Sequence, residues 1–283
     1  MHTVHLLSCP FCQEALEQTG NTLICSHKHT FDIAREGYVN LLRKKLPGDT
    51  REMLVARRTF LERGFYLPLS NALNELVAAQ LHGFTQSACV LDAGCGEGYY
   101  LGRLQQALEE QGGSSDNSYL GLDISKDAIR MAAKRYPTID FVVANLKDPL
   151  IVRDHALHLL LNIFAPRNPA EFARVLVLAG WLLVVIPAPE HLRQLRETLQ
   201  LLQIEEQKMQ HVVAQFQDDF SLVQTVEVQH KLHLQGEEIV QTVMMTPNYW
   251  HMEPEKRQAL TTLTTIETEA AFTCLLFQKR TRT

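Results

Sequence analysis

The chain has 283 residues, 46% of them hydrophobic, and a formal net charge of −5. That is enough for one large α/β domain plus a smaller module. It excludes the uniformly basic character of many nucleic-acid binders, so any RNA contact has to come from a local basic patch. No apolar run approaches the ~18 residues of a membrane helix, and Met1 to Leu7 has no basic lead. A soluble, cytoplasmic protein with no membrane partner is expected, its six cysteines serving as thiols or metal ligands rather than disulfides.

The amino-terminal segment carries a metal signature. Cys9-Pro10-Phe11-Cys12 is a Cys-x2-Cys knuckle, and Cys25-Ser26-His27-Lys28-His29 follows it. Cys9, Cys12, Cys25 and His29 make a Cys3His set with the spacing of structural zinc (Zn2+), which leaves no open coordination position. His27 is the rival fourth ligand, but it sits too close to Cys25. Gly20-Asn21 predicts a hairpin turn between the two ligand pairs. Arg43 to Asp49 is basic and rich in breakers, and reads as a domain link. Arg51 to Phe65 and Tyr66 to Leu81 are helical in pattern. Arg43, Lys44, Lys45, Arg51, Arg57, Arg58 and Arg63 form the densest positive charge: either an RNA contact or a solvated face. Expected boundaries are 1–42 for the zinc module, 43–85 for the basic link and first helices, and 86–283 for the larger domain.

Val90-Leu91-Asp92-Ala93-Gly94-Cys95-Gly96-Glu97-Gly98 reads as a buried strand, a glycine turn and a helix start. A dinucleotide fingerprint would be Gly-x-Gly-x-x-Gly. Here Asp92 precedes Gly94, Gly96 and Gly98, and a carboxylate there repels a pyrophosphate but accepts an ammonium group. The pattern fits S-adenosylmethionine, which has an amino-acid tail and no phosphate. Ser118 to Asp123 is the next strand. Its terminal acid, Asp123, is placed to accept hydrogen bonds from ribose hydroxyls. The insert Glu109 to Asn117, with Gly112 to Ser115, accounts for the long interval between the glycines and that acid.

Lys126 to Arg135 is a helix closed before Pro137, and Phe141 to Asn145 a third strand. Asn145 either meets the adenine edge or is a turn residue. His155 to Leu161 is a fourth strand, running into Asn162-Ile163-Phe164-Ala165-Pro166. That run loosely parallels the Asn-Pro-Pro-aromatic motif of amino-group methyltransferases: Asn162 would accept from a target base and Phe164 stack on it, or Phe164 is core. Pro169 to Leu176 is helical. Leu176 onward is a loop feeding a fifth strand, Trp181 to Ile186. His191 either contacts the cofactor or starts a helix. Leu192 to Gln210 reads as one helix, Phe220 to Leu234 as a strand or hairpin, Glu237 to Met245 as a helix ending at Thr246-Pro247, and Ala270 to Gln278 as a last strand.

Taken together, these motifs resemble the RlmA family of large-subunit ribosomal RNA guanine-N1 methyltransferases. The matching parts include Ser8 to Cys12, Cys25-x3-His29-x-Phe31-Asp32, Ala34 to Leu42, Ala56-Arg57-Arg58-x-Phe60-Leu61, Leu91-Asp92-x-Gly94 to Tyr100, Ala133 to Pro137, Phe164-Ala165-Pro166, His191-Leu192 and Met245 to Pro247. The resemblance implies an α/β fold: a seven-stranded Rossmann-like S-adenosylmethionine-dependent methyltransferase domain with a small N-terminal zinc-binding module for RNA recognition. It also implies a 23S rRNA hairpin as partner, a homodimer, and cofactor contacts at Tyr66, Gly96, Glu97 and His191. Phe164 to Asn168 and Glu171 to Leu176 look closer to the branch that includes tylosin-resistance enzymes. Leu178-Ala179-Gly180 replaces the family's frequent Lys-Pro-Gly-Gly, which alters a turn and no chemical group. The rival readings are a small-molecule methyltransferase and a catalytically silent S-adenosylmethionine- and RNA-binding assembly factor. The zinc module speaks against the first, the intact acids and glycines against lost cofactor binding.

Overall fold

A computed structural model describes residues 1–81, 87–112, 116–246, 249, 252 and 254–281. Gly113, Ser114 and Ser115 of the expected insert, Pro247, and the expected boundary at residue 85 lie outside the described residues. The chain opens with β1 (Leu16–Thr19), β2 (Thr22–Cys25) and β3 (Thr30–Asp32), a small antiparallel sheet. Gly20, at φ +59°, makes the β1–β2 turn. β4 (Val39–Asn40), α1 (Arg51–Glu62) and α2 (Leu67–Leu81) lead into β5 (Cys89–Ala93). Then come α3 (Tyr99–Glu110), β6 (Ser118–Asp123), α4 (Lys126–Arg135), β7 (Asp140–Val143), β8 (Leu157–Ile163), α5 (Pro169–Val175) and β9 (Leu176–Pro187). The chain closes with α6 (Arg193–Thr198), α7 (Lys208–Phe216), β10 (Phe220–Gln235), α8 (Glu237–Met244), α9 (Pro254–Thr262) and β11 (Thr265–Lys279).

The large sheet has the order β10-β11-β9-β8-β5-β6-β7-β4. β11 is antiparallel to both neighbours; the remaining pairs are parallel. Seven strands form the expected methyltransferase sheet, and β4 adds an eighth at the β7 edge through Val39 against Val142 and Asn40 against Val143. The boundary expected at residue 42 therefore falls just past a strand of the larger sheet. Both faces of the parallel strands are apolar, as strands covered on both sides must be. Val90, Tyr119 and Phe141 pack under the helices that hold Leu69, Leu101 and Ile129. Leu91, Leu120 and Val142 face the other way, onto Phe172, Phe216 and the zinc module's Leu7 and Leu23. After β7 the chain crosses to the other side of β5, so the switch point opens above β5 and β8. Ligands of open α/β sheets bind there.

Three expectations need correction. Leu192 to Gln210 is not one helix: α6 stops at Thr198 and α7 starts at Lys208. Gln200 takes φ +51°, and the amides of Gln200 and Leu201 donate to the carbonyls of Glu197 and Arg196. This is a Schellman ending with glutamine where glycine is usual. Leu176 to Gly180 is strand rather than loop, bent at Ala179 (φ +57°) beside an irregular β8–β9 register. The third strand ends at Val143. Asn145 lies beyond it, its Oδ1 accepting from Lys147 N at 3.1 Å; it is a turn residue and does not line the cleft at the switch point.

Candidate active site

The β5–α3 turn is the tightest part of the cleft. Gly94 has φ +94°, and a Cβ there would lie 2.3 Å from Ala165 Cβ, so only glycine lets the loop after β8 pass this close. The amides of Gly94 and Cys95 donate to Leu122 O, pinning the turn to β6. Gly96 N donates to Asp123 Oδ2 (2.9 Å) and Ser125 N to Asp123 Oδ1 (2.8 Å). A carboxylate offers about four lone-pair sites, so both oxygens retain capacity for a pair of hydroxyls. Burial raises the pKa of Asp123, against these two amides. Asp92 is 1% exposed, and its Oδ1 has no partner among the described residues. Burial, then the charges of Asp123 and Glu97, push its carboxyl up to about 8. A buried carboxyl left unpaired at a cleft wall calls for a proton or a ligand to satisfy it.

These residues line a cleft of about 840 Å³ together with Tyr66, Glu97, Phe164 and His191. That volume lies within the roughly 300–1,000 Å³ of small-molecule sites. Tyr66 Oη lies 3.2 Å from His191 Nε2. The amide of Ala271 donates to His191 Nδ1, so the ring proton sits on Nε2 and is given to Tyr66. Burial, then Arg196 and Lys208, depress the His191 imidazole to about 3, which keeps it neutral. Phe164 is 45% exposed, adopts φ +53° and packs on Phe272. The left-handed backbone of a bulky residue is strained; here it turns the ring to the mouth of the cleft. Asn162 lies behind this surface. Its Nδ2 donates to Ala93 O (3.2 Å) and Pro166 O (3.0 Å), bracing the loops on either side of the Gly94–Ala165 contact.

Arg57 is a wall residue that the sequence placed in the RNA-contact set. It pairs with Asp49 at 2.6 Å. Burial opposes its charge, but Asp49, Glu97 and Asp123 hold it firmly protonated. Arg58 pairs with Glu62 and Arg63 with Glu238. Arg57 and Arg58 are half-buried, while Arg63 stays exposed beside Glu238, with Arg43, Lys44, Lys45 and Arg51 as the other exposed cations of that stretch. No local pattern distinguishes Arg57 from its neighbours. Its partner is fixed by the docking of the 43–50 link, where Ser125 Oγ donates to Asp49 O.

Beside the small sheet, the ligand atoms of Cys9, Cys12, Cys25 and His29 all lie within 4.8 Å of one another. His29 Nδ1 is 3.4 Å from both Cys9 Sγ and Cys25 Sγ. His27 is exposed and outside the cluster, so the fourth donor is His29. The residues fit a tetrahedral zinc, which supplies a structural cross-link.

Residues 7–45 match the family described as "RlmA, N-terminal", and residues 90–183 a methyltransferase domain family. Over 257 residues it is 38% identical to the Streptomyces fradiae protein named 23S rRNA (guanine(748)-N(1))-methyltransferase, covering 90% of this chain and 89% of that one. The chain belongs to the RlmA family. A second family member, from Micromonospora griseorubida, is 37% identical, with 89% of this chain and 90% of that one covered; it is provisionally named a 23S rRNA guanine-N1 methyltransferase. Among solved structures, a provisionally named methyltransferase of Bacillus halodurans superposes with a TM-score of 0.50 at 14% identity. It covers 73% of this chain and 98% of that one, a likeness of fold alone. RlmA membership makes S-adenosylmethionine and zinc the two groups this chain holds. Among the described residues, no helix is long and apolar enough to cross a membrane.

Proposed function

We propose that this protein methylates N1 of a guanine in 23S rRNA, with the target in a hairpin loop. The observation that carries the reading is the 38% identity to the Streptomyces fradiae enzyme across 90% of the chain; the cleft supplies a site consistent with it. S-adenosylmethionine supplies an electrophilic methyl group when bound. Asp92 receives its ammonium group, Asp123 its ribose hydroxyls, and Tyr66, Gly96, Glu97 and His191 complete the pocket. Phe164 offers an exposed aromatic face for the target base, and Asn162 holds the loop that carries it. N1 lies on the pairing edge of guanine, so the base has to be unpaired, as bases of hairpin loops are. Positioning of the two reactants is the main source of rate, up to ~7–11 kcal/mol in favourable cases.

The family resemblance also supports a homodimer, and action on ribosomal RNA supports a cytoplasmic location. The division into a zinc module (1–42), a link with the first helices (43–85) and a catalytic domain (86–283) follows the same logic: recognition first, chemistry after. The test is reverse transcription across 23S rRNA from wild-type and deletion strains, since an N1-methyl group blocks pairing. A stop at one guanine, absent on deletion and restored in vitro by purified protein and S-adenosylmethionine, is expected. Identical traces from both strains would overturn the reading.

A further inference from the structure

Besides Arg57, the cleft that Phe164 lines carries three cations, Arg167, Arg196 and Lys208. Arg196 is consumed by the fold: it donates to His191 O, Gln203 Oε1 and Pro189 O. The other two are not. Arg167 follows Pro166 directly, and among the described residues only its Nε has an acceptor, Gln215 Oε1 at 3.0 Å. Lys208 opens α7, where a cation is disfavoured by the helix dipole. Neither forms an ion pair among the described residues. Glu205 favours the charge of Lys208 without forming an ion pair with it, and its carboxylate lies 2.8 Å from His211. The contrast is with the arginines that hold the fold together, each paired with a carboxylate: Arg57 with Asp49, Arg63 with Glu238, Arg174 with Glu171.

We propose that Arg167 and Lys208 form a two-cation clamp on the RNA backbone phosphates that flank the guanine entering the cleft over Phe164. The proposal rests on the rRNA reading above and adds the residues that hold the target nucleotide. Burial weakens both charges, and Arg167 weakens that of Lys208. Two half-buried like charges held side by side are costly until an anion arrives, and desolvation strengthens their attraction for it. Phosphate suits the pair better than the carboxylate of the cofactor. The cofactor is anchored across the cleft at Asp92 and Asp123, its single carboxylate charge does not need two cations, and the Tyr66 hydroxyl proton is free to serve it. Phosphates spaced along a strand, with a base turned inward beside them, match two neighbouring cations in a cleft that also presents the exposed Phe164 ring.

The experiment uses the full-length protein, an unmodified 23S rRNA transcript and a salt series. Wild type, Arg167→Gln, Lys208→Gln, the double variant and Arg167→Lys are each measured for transcript affinity and, by calorimetry, for S-adenosylmethionine affinity. Each glutamine substitution should lower the slope of log K against log salt by roughly 0.7–0.9. The double variant should bind RNA at least about tenfold more weakly, as for loss of a charged hydrogen bond. Arg167→Lys should keep the slope, and cofactor affinity should stay within about twofold throughout, which also reports an intact fold. Wild-type RNA affinity and slope in the double variant would overturn the clamp. So would a loss of cofactor affinity with RNA binding unchanged, which would assign the pair to the methionine carboxylate. A wild-type protein that neither binds nor methylates the transcript would instead overturn the rRNA reading.

Discussion

Tyr66 and His191, 125 residues apart in the chain, meet across the cofactor cleft with Oη 3.2 Å from Nε2. The Ala271 amide fixes the imidazole tautomer from behind, so the histidine donates and the phenol's own proton points to whatever the cleft holds. Neither group has to ionise. Burial raises the Tyr66 phenol well above its usual range, and His191 stays neutral above about pH 3.

Tyr66→Phe therefore removes a donor without changing charge. S-adenosylmethionine binding should weaken by about 0.5–1.5 kcal/mol, read by calorimetry. The pH profile of binding should show no inflection near 6.5, the ordinary imidazole value. A clear inflection there, abolished by His191→Ala, would mean that His191 ionises after all.

Asp92 predicts where the inflection does fall. In the free protein its carboxyl is held at about 8, so at pH 7 it is mostly protonated. An ammonium group favours the carboxylate, so cofactor binding should release a proton at pH 7 and tighten as pH rises toward 8. The sign for stability is opposite. The folded pKa is raised above the unfolded value, so this group's stabilising contribution is complete below about pH 4 and disappears as pH climbs through about 8. Calorimetry in buffers of different ionisation enthalpy measures the proton directly. Asp92→Asn should abolish its release, and unchanged release would assign the proton elsewhere.

Asp123→Ala should cost about 1.5–3 kcal/mol of cofactor affinity, the usual loss for hydrogen bonds to a charged group. It also strips the acceptor from the Gly96 and Ser125 amides, so some loss of thermal stability should accompany it. Full cofactor affinity in this variant would place the ribose elsewhere.

One zinc per chain is expected by elemental analysis, and Cys25→Ser should lower it sharply, since that thiol sits 3.6 Å from Cys12 Sγ and 3.4 Å from His29 Nδ1. His27→Ala should leave the zinc content unchanged. The reverse pattern would exchange the two histidines.

The exposed part of the basic link should contribute to RNA affinity. Replacing Arg43, Lys44 and Lys45 by alanine should reduce the salt slope by roughly 0.7–0.9 for each phosphate no longer neutralised, while S-adenosylmethionine binding persists. A wild-type slope would make these residues a solvated face.

Local chemistry was legible in the sequence; long-range docking was not. α4 was readable to both ends because Ser125 caps it and Pro137 follows it. The zinc ligands were readable because metal geometry constrains their spacing. The strand–turn–helix around Asp92 and the glycines, and the strand ending at Asp123, were readable because apolar runs broken by glycine mark where strands end. The break after α6 was hidden because Gln200, rather than glycine, takes the left-handed position. The pairing of Arg57 with Asp49 was hidden because nothing local sets it, and β4 because two residues carry no periodicity. Phe164 was visible as an aromatic, but its outward turn depends on a backbone angle that the sequence does not announce.

β4 joins the zinc-bearing segment to the β7 edge by backbone pairing, continued by Leu41 N to Val143 O. Rigid splicing of this kind makes the protein a caliper. The metal-braced jaw and the methylating jaw stand at a separation set by sheet geometry, not by a slack tether. Under the rRNA reading proposed above, an RNA that reached both jaws would offer the cleft the one nucleotide this frame sets, and the choice of guanine would be a question of length.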